Sequence, residues 1–176
     1  MTQEDKLNNI AIKMARATSN FSDDLMRTVF KVEKYERKIT YDQMFSALRK
    51  VNGATLLDSY YYLAPIWLWK KIIEADWTNE RQYIKDRYDC DNFAFSFQAR
   101  ADEKFGLNSC PPLYCKYYSE QGVFVDYHYI NVIVDDILDI YLLEPMNDCL
   151  VKYNKEGKIS IGGKGIYEPI RGSVVF

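Results

Sequence analysis

The chain has little histidine, little net charge and no long apolar run. Of 176 residues one is His, at position 128. Any step that needs an imidazole therefore has a single candidate. The four cysteines, Cys90, Cys110, Cys115 and Cys149, are not spaced as paired Cys-x-x-Cys knuckles, so a Cys/His zinc site is not expected. Lys and Arg number 23 against 25 Asp and Glu, a formal charge of −2. No strongly basic field advertises a nucleic-acid partner. The longest apolar stretch, Tyr60 to Trp69, is too short to span a bilayer and contains Pro65, so no membrane partner is expected. Met1-Thr2-Gln3-Glu4-Asp5 is polar and acidic, unlike a secretory leader. Reduced thiols and a cytoplasmic location are the expectation. Pro111-Pro112 makes a turn between Cys110 and Cys115, which would let these two pair under oxidation.

Apolar residues make up 48% and charged residues 27%, and 15 Tyr, 9 Phe and 3 Trp exclude disorder as the main state. No repeat is visible. Helical spacing joins Leu7, Ile10, Met14 and Ala17, then Leu25 to Tyr35, then a run from Thr40 through Met44, Phe45, Leu48 and Val51 that stops at Asn52-Gly53. Residues 58–76 read as a further helix, bent near Pro65. A helix starts near Asp89 and runs to Phe105, with Gly106 past its end. After Pro111-Pro112 the pattern turns to strands: Leu113 to Tyr118, Val123 to Val134, Leu138 to Leu143, and short ones at Lys158 to Ile161 and Val174 to Phe176. Helices first and hairpin-linked strands later predict an α+β fold, with a central helix packed on an antiparallel sheet. Residues 1–76 are read as an N-terminal helical segment packed on a core formed by 77–176.

Asp89 is a good N-cap, which puts Cys90 in the first turn of its helix. The amide N–H groups and dipole there favour an anion, and a thiolate is one. Phe93, Ala94, Phe95, Phe97 and Ala101 cover most of the helix circumference, so a central, buried helix is expected. His128 opens a strand, and the next strand runs into Glu144. If Asp135-Asp136-Ile137 is the hairpin loop, Val134 faces Leu138 and His128 faces Glu144 directly. A carboxylate opposite an imidazole holds one tautomer and stabilises the charged ring. Cys90 is then the candidate nucleophile, His128 the base and Glu144 the orienting acid. The Cys90 backbone N–H would donate to the oxyanion, with Gln82 or Tyr83 as second donor or substrate contact. A slip by one residue would turn Glu144 to the other face. Asn131, three residues past His128, should point to the opposite face.

These residues resemble the papain-like cysteine peptidase superfamily. Tyr88 to Ala94, His128 to Val134 and Leu142 to Pro145 carry the resemblance, across about 60 residues. It is similar to transglutaminase-like bacterial peptidases, and above all to the papain-like C-terminal domain of fungal agglutinins and related small proteins of bacteria and phages. Residues 1–75 match nothing in that family, and no sugar-binding repeat is present. The resemblance implies a thiol hydrolase or acyltransferase acting on an amide, with Cys90, His128 and Glu144 as the triad. It implies a peptide or protein substrate, and it leaves room for a homo-oligomer. No cofactor is required, but the agglutinin domain depends on calcium, and Asp91 and Asn92, with Asp126 and Asp148 nearby, are the oxygen donors here.

Each residue also has a plainer reading. A lone Cys is usually a small core residue, a lone His a satisfied strand residue, and a Glu before Pro a strand end. The tyrosine run at 60–62 and Trp67, Trp69 and Trp77 fit packing better than a site. Asp135, Asp136 and Asp139 fit a solvated hairpin. The rival function is a catalytically silent papain-like fold that serves as a binding or assembly module, as in a virus or phage.

Overall fold

The computed structural model describes residues 25, 27–51, 54–154, 157–163 and 165–175. Helices are α1 (Val32–Tyr35), α2 (Tyr41–Leu48), α3 (Ile66–Ala75) and α4 (Cys90–Phe105). Strands are β1 (Arg37–Thr40), β2 (Ala54–Thr55), β3 (Tyr60–Leu63), β4 (Pro112–Tyr118), β5 (Phe124–Val134), β6 (Ile140–Glu144), β7 (Cys149–Lys152), β8 (Ile159–Ser160) and β9 (Ile166–Val175). The fold is α+β. One sheet runs β2-β9-β4-β5-β6-β7, with β8 on β9, and is antiparallel except where β2 meets β9. β1 and β3 form a separate antiparallel pair. Among the described residues no helix is long and apolar enough to cross a membrane. The helical run at Leu7 to Ala17 lies outside the described residues.

The large sheet has a core on each face. On one, Cys115, Ile130, Val132 and Leu142 pack with Ile39, Met44, Leu48, Tyr61 and Leu63. On the other, Ile133 and Leu143 pack with Leu68, Trp69 and Ile72 of α3 and with Phe97, Ala101 and Phe105 of α4. Residues from both sides of position 76 share each core, and the segment read as helical carries three strands. Cys115 belongs to the first core and Cys110 to the second, so the sheet separates the two thiols expected to pair. All four cysteines are free.

Local chemistry explains where sequence and structure agree and differ. Thr40 starts α2 through a capping box: its backbone N–H donates to Gln43 Oε1 at 2.9 Å. Lys31, in a left-handed conformation, breaks the run expected from Leu25 to Tyr35. The helix expected over 58–76 is instead strand β3 followed by α3. Consecutive tyrosines favour a strand, the residue before a proline avoids helical dihedrals, and Pro65 caps α3 rather than bending it. Gly106 (φ 67°) ends α4, with its N–H on Asp102 O and that of Leu107 on Ala101 O. β9 is far longer than the Val174 to Phe176 strand expected, because Pro169 and Gly172 argue against a central strand. The sheet absorbs them in an irregularity, where Leu113 faces Val174 but Cys115 already faces Pro169.

α4 buries one stripe, Phe93, Phe97 and Phe105, rather than its whole circumference; Phe95 is exposed. Burying each Phe contributes about 2–3 kcal/mol, against about 1 kcal/mol for a cap, so the stripe holds α4 on the sheet. Asn131 fixes where it sits. Its fully buried amide donates to Ala94 O of α4 and to Cys110 O, each at 3.0 Å. Asn131→Ala would remove both buried bonds, and urea unfolding should show a loss of about 2 kcal/mol. An unchanged unfolding free energy would mean that the clamp contributes nothing.

Candidate functional site

The first turn of α4 brings the thiol into place. Asp89 occupies the N-cap, and Asn92 reaches back to accept the Asp89 backbone N–H at 3.2 Å. Cys90 follows, half-buried, at the first helical position. Its backbone N–H lies in the turn that the helix's own carbonyls do not reach. The β5–β6 ladder runs from Val134 opposite Ile140 to Asn131 opposite Leu143 and ends there. At His128, among the described residues, that edge of β5 carries no strand. α4 packs on the Asn131 face and His128 belongs to the other, so this open edge is where Cys90 and His128 meet.

His128 has two neighbours that favour its charged form. Its Nε2 lies 2.7 Å from Glu144 Oε2, and Cys90 lies near enough to raise the ring as well. With Nε2 committed to Glu144, Nδ1 is the nitrogen left for a second partner. Burial alone would disfavour a charged ring. The hydrogen bonds to Cys90 and Glu144, and the charges of both, outweigh it and push the imidazole up to about 9. The imidazolium is thus the state this pocket favours at neutral pH.

Glu144 is almost fully buried, so its carboxylate must be satisfied by the protein. Oε2 accepts from His128 and from the Tyr167 hydroxyl (2.9 Å), and Oε1 accepts from the Met146 backbone N–H (3.2 Å). Burial, followed by the Glu144 charge and this hydrogen bond, pushes the Tyr167 phenol far above its usual range, so it donates throughout. The His128 ring lies beside Tyr117 and Tyr167, with centroids 5.8 and 5.6 Å away. Gly165 makes room for that packing: a Cβ there would sit 2.1 Å from the Tyr117 ring. Cys115 lies buried behind the site, its thiol pushed well up by burial and then by Glu144, which makes it a packing residue.

The three residues expected together are therefore together, but not in the expected register. Asp135 to Asp139 form a longer turn, closed by Asp135 N–H on Asp139 O and Leu138 N–H on Asp135 O. The pairing shifts by two residues relative to Val134 facing Leu138. A shift of two keeps every side chain on its face. Glu144 consequently meets His128 on the diagonal rather than head-on, a span its long side chain covers.

Tyr83 lies close enough to Cys90 for the thiol's charge to be felt; partial burial, Asp89 and Cys90 raise its phenol. Gln82 is exposed in the same loop and, among the described residues, makes no hydrogen bond to the triad. The oxygens suggested for calcium are engaged separately. Asp91 Oδ1 accepts the Asn92 N–H, Asn92 Oδ1 accepts the Asp89 N–H, Asp126 accepts the Tyr127 N–H and Asp148 accepts from Asn79. Among the described residues no three His, Cys, Asp or Glu side chains gather as a metal site. This donor set does not fit a calcium ion. Tyr117 and Tyr167 were not foreseen. Their signal, Tyr167 paired across from Tyr117, was hidden by the unread first half of β9.

No protein-family model matches the chain, and no curated protein matches it by sequence. Among solved structures, Polyporus squamosus lectin bound to the human-type influenza-binding epitope Neu5Aca2-6Galb1-4GlcNAc is similar at 18% identity and a TM-score of 0.49, over 65% of this chain and 45% of that one. A PSL1a–E64 complex is similar at 19% identity and a TM-score of 0.46, over 66% and 48%. The chain spans less than half the length of either.

The site couples stability to pH. The folded-state value for His128, about 9, lies above the unfolded value of about 6.5. Its contribution is complete below pH 6.5 and is lost as pH rises through 9, a span equivalent to about 3 kcal/mol. The stability difference between wild type and Glu144→Gln, from urea unfolding, should narrow across that window. A difference that stays flat from pH 6 to 9.5 would contradict the ion pair.

Proposed function

We propose that this chain is a papain-like cysteine hydrolase, which cleaves or transfers an amide bond through a thioester, with proteolysis as its first activity. The observation that carries the reading is the 2.7 Å pair of His128 and buried Glu144, with Cys90 near enough to raise the imidazole. A buried carboxylate paired with an imidazole is costly to maintain for packing alone, and the pair supplies what a thiol nucleophile needs.

In this reading the nucleophile is the Cys90 thiolate paired with the His128 imidazolium: its sulfur attacks the carbonyl carbon of the substrate amide, and the carbonyl π electrons move to oxygen. The oxyanion takes a hydrogen bond from the Cys90 backbone N–H at the start of α4, aided by the helix dipole. Imidazolium Nδ1–H gives its proton to the leaving nitrogen, the C–N bond breaks, and an amine departs from a thioester on Cys90. The now neutral His128 takes a proton from water as its oxygen attacks the thioester; the thiolate leaves, a carboxylic acid is released, and the thiolate–imidazolium pair is restored. An amine in place of water would give transfer instead of hydrolysis. Glu144, held by Tyr167 and Met146, keeps the ring turned toward the sulfur. Tyr117 and Tyr167 exclude water from the ring's faces.

The substrate on this reading is a peptide or protein, and the chain acts in a reducing, cytoplasmic setting where Cys90 stays a thiol. Incubated with unfolded casein, the protein should cleave it and carry an acyl group on Cys90, visible by intact mass after acid quench and discharged by hydroxylamine. Cys90→Ala should abolish turnover with unfolding free energy nearly unchanged, and His128→Ala should lower it about 10²–10⁴-fold. If Cys90→Ala kept full activity, this mechanism would be wrong. If no acyl-enzyme formed and Cys90 met iodoacetamide no faster than a thiol of the unfolded chain, the silent binding module would be the better reading.

A further inference from the structure

The hairpin of β4 and β5 carries a second feature next to Cys90. On the face opposite His128, the pairing sets Tyr114 across from Tyr129 and Lys116 across from Tyr127. Their rings form a continuous strip. Phe95 of α4 meets Tyr129 at 6.0 Å, Tyr129 meets Tyr114 at 4.8 Å, Tyr114 meets Tyr127 at 5.2 Å, and Tyr127 meets Phe124 at 5.5 Å. Phe95, Phe124 and Tyr127 are each about half exposed. An exposed aromatic surface of this kind is uncommon unless something covers it.

The surroundings indicate what that is. Tyr83, Tyr114 and Tyr129 all lie within reach of the Cys90 charge. Carboxylates stand around these rings. Asp89 and Asp91 flank Cys90 at the start of α4, the Asp86 N–H donates to Asp89 Oδ2 at 3.2 Å, and Asp126 Oδ1 accepts the Tyr127 N–H at 2.8 Å. Lys116, Lys85 and Arg87 stand on the same hairpin and loop. Tyrosine faces rimmed by carboxylates attract cations. The chain uses the same pairing on itself: Lys158 Nζ lies 3.6 Å over Tyr118, and Lys38 Nζ 3.8 Å over Tyr60.

We infer that the strip of Phe95, Tyr129, Tyr114, Tyr127 and Phe124 is a substrate subsite that seats a lysine or arginine side chain of a polypeptide beside the amide attacked at Cys90. The aliphatic stem of such a side chain would lie on the rings and its charged head would reach the aspartates. The subsite presupposes Cys90 as the nucleophile, and the test separates the two ideas.

Two methanethiosulfonates of similar size and opposite charge, one bearing trimethylammonium and one bearing sulfonate, report the local field at a thiol. The thiolate attacks the sulfenyl sulfur, a mixed disulfide forms, and methanesulfinate leaves. Labelling rates at Cys90, located by peptide mass, are divided by the rates for 2-mercaptoethanol, which removes the intrinsic preference of any thiolate. At low ionic strength the normalised ratio should favour the cationic reagent roughly tenfold, and it should fall in 1 M salt. Asp86→Asn with Asp126→Asn, both on exposed residues outside the triad, should bring it toward unity. Tyr129→Leu should lower it while leaving the rate with the anionic reagent within about twofold. A ratio at or below unity with Cys90 readily labelled would overturn the subsite and leave the thiol chemistry standing. A Cys90 that neither reagent labels would overturn both.

Discussion

A carboxylate with 3% of its side chain exposed has to be answered by donors, and Glu144 is answered by three. His128, Tyr167 and the Met146 amide between them meet both oxygens. That requirement organises the surrounding residues. It holds the only imidazole of the chain at one orientation, and it needs a neutral phenol from β9 at the same oxygen. Gly165 then has to be small enough for Tyr117 to close over the ring. Removing the carboxylate would leave a buried imidazole without its counter-charge, which is why the site's chemistry and its contribution to stability vary together with pH.

Two packing layers meet at the site. α4 is pressed on one face of the sheet by Phe93, Phe97 and Phe105 and pinned by the Asn131 amide, while His128 and Glu144 belong to the other face. The junction exists because β6 ends at Glu144, so beyond Asn131 the flank of β5 is open to the first turn of α4. A longer β6 would satisfy more backbone and cover the flank of β5 beside His128. Extending a strand there would strengthen the sheet and cost the site.

Much of this was legible in the chain. Asp89 and Gly106 bracket α4 where cap chemistry says they should, and the α+β order follows from helical periodicity giving way to strand alternation. The proximity of His128 and Glu144 was legible for a reason sturdier than the register from which it was first read. The turn is two residues longer than assumed, yet a two-residue shift preserves the face. What stayed hidden was non-local. Pro169 and Gly172 masked most of β9, and with it Tyr167. Tyr60 to Tyr62 lay within an apolar run whose helical and strand readings only tertiary packing separates. Cys110 and Cys115, close in sequence, end on opposite sides of the sheet, a consequence of where the preceding loop enters β4.

Because the chain has one histidine, the central claim can be tested without assignment or mutation. Ring nitrogens of ¹⁵N-labelled His128 give a single pair of resonances, and their shifts follow protonation directly. The account predicts an imidazolium at pH 7, with the Nε2–H held by Glu144 and a midpoint near 9. A ring that titrates near 6.5, with no change on replacing Cys90 or Glu144, would contradict it.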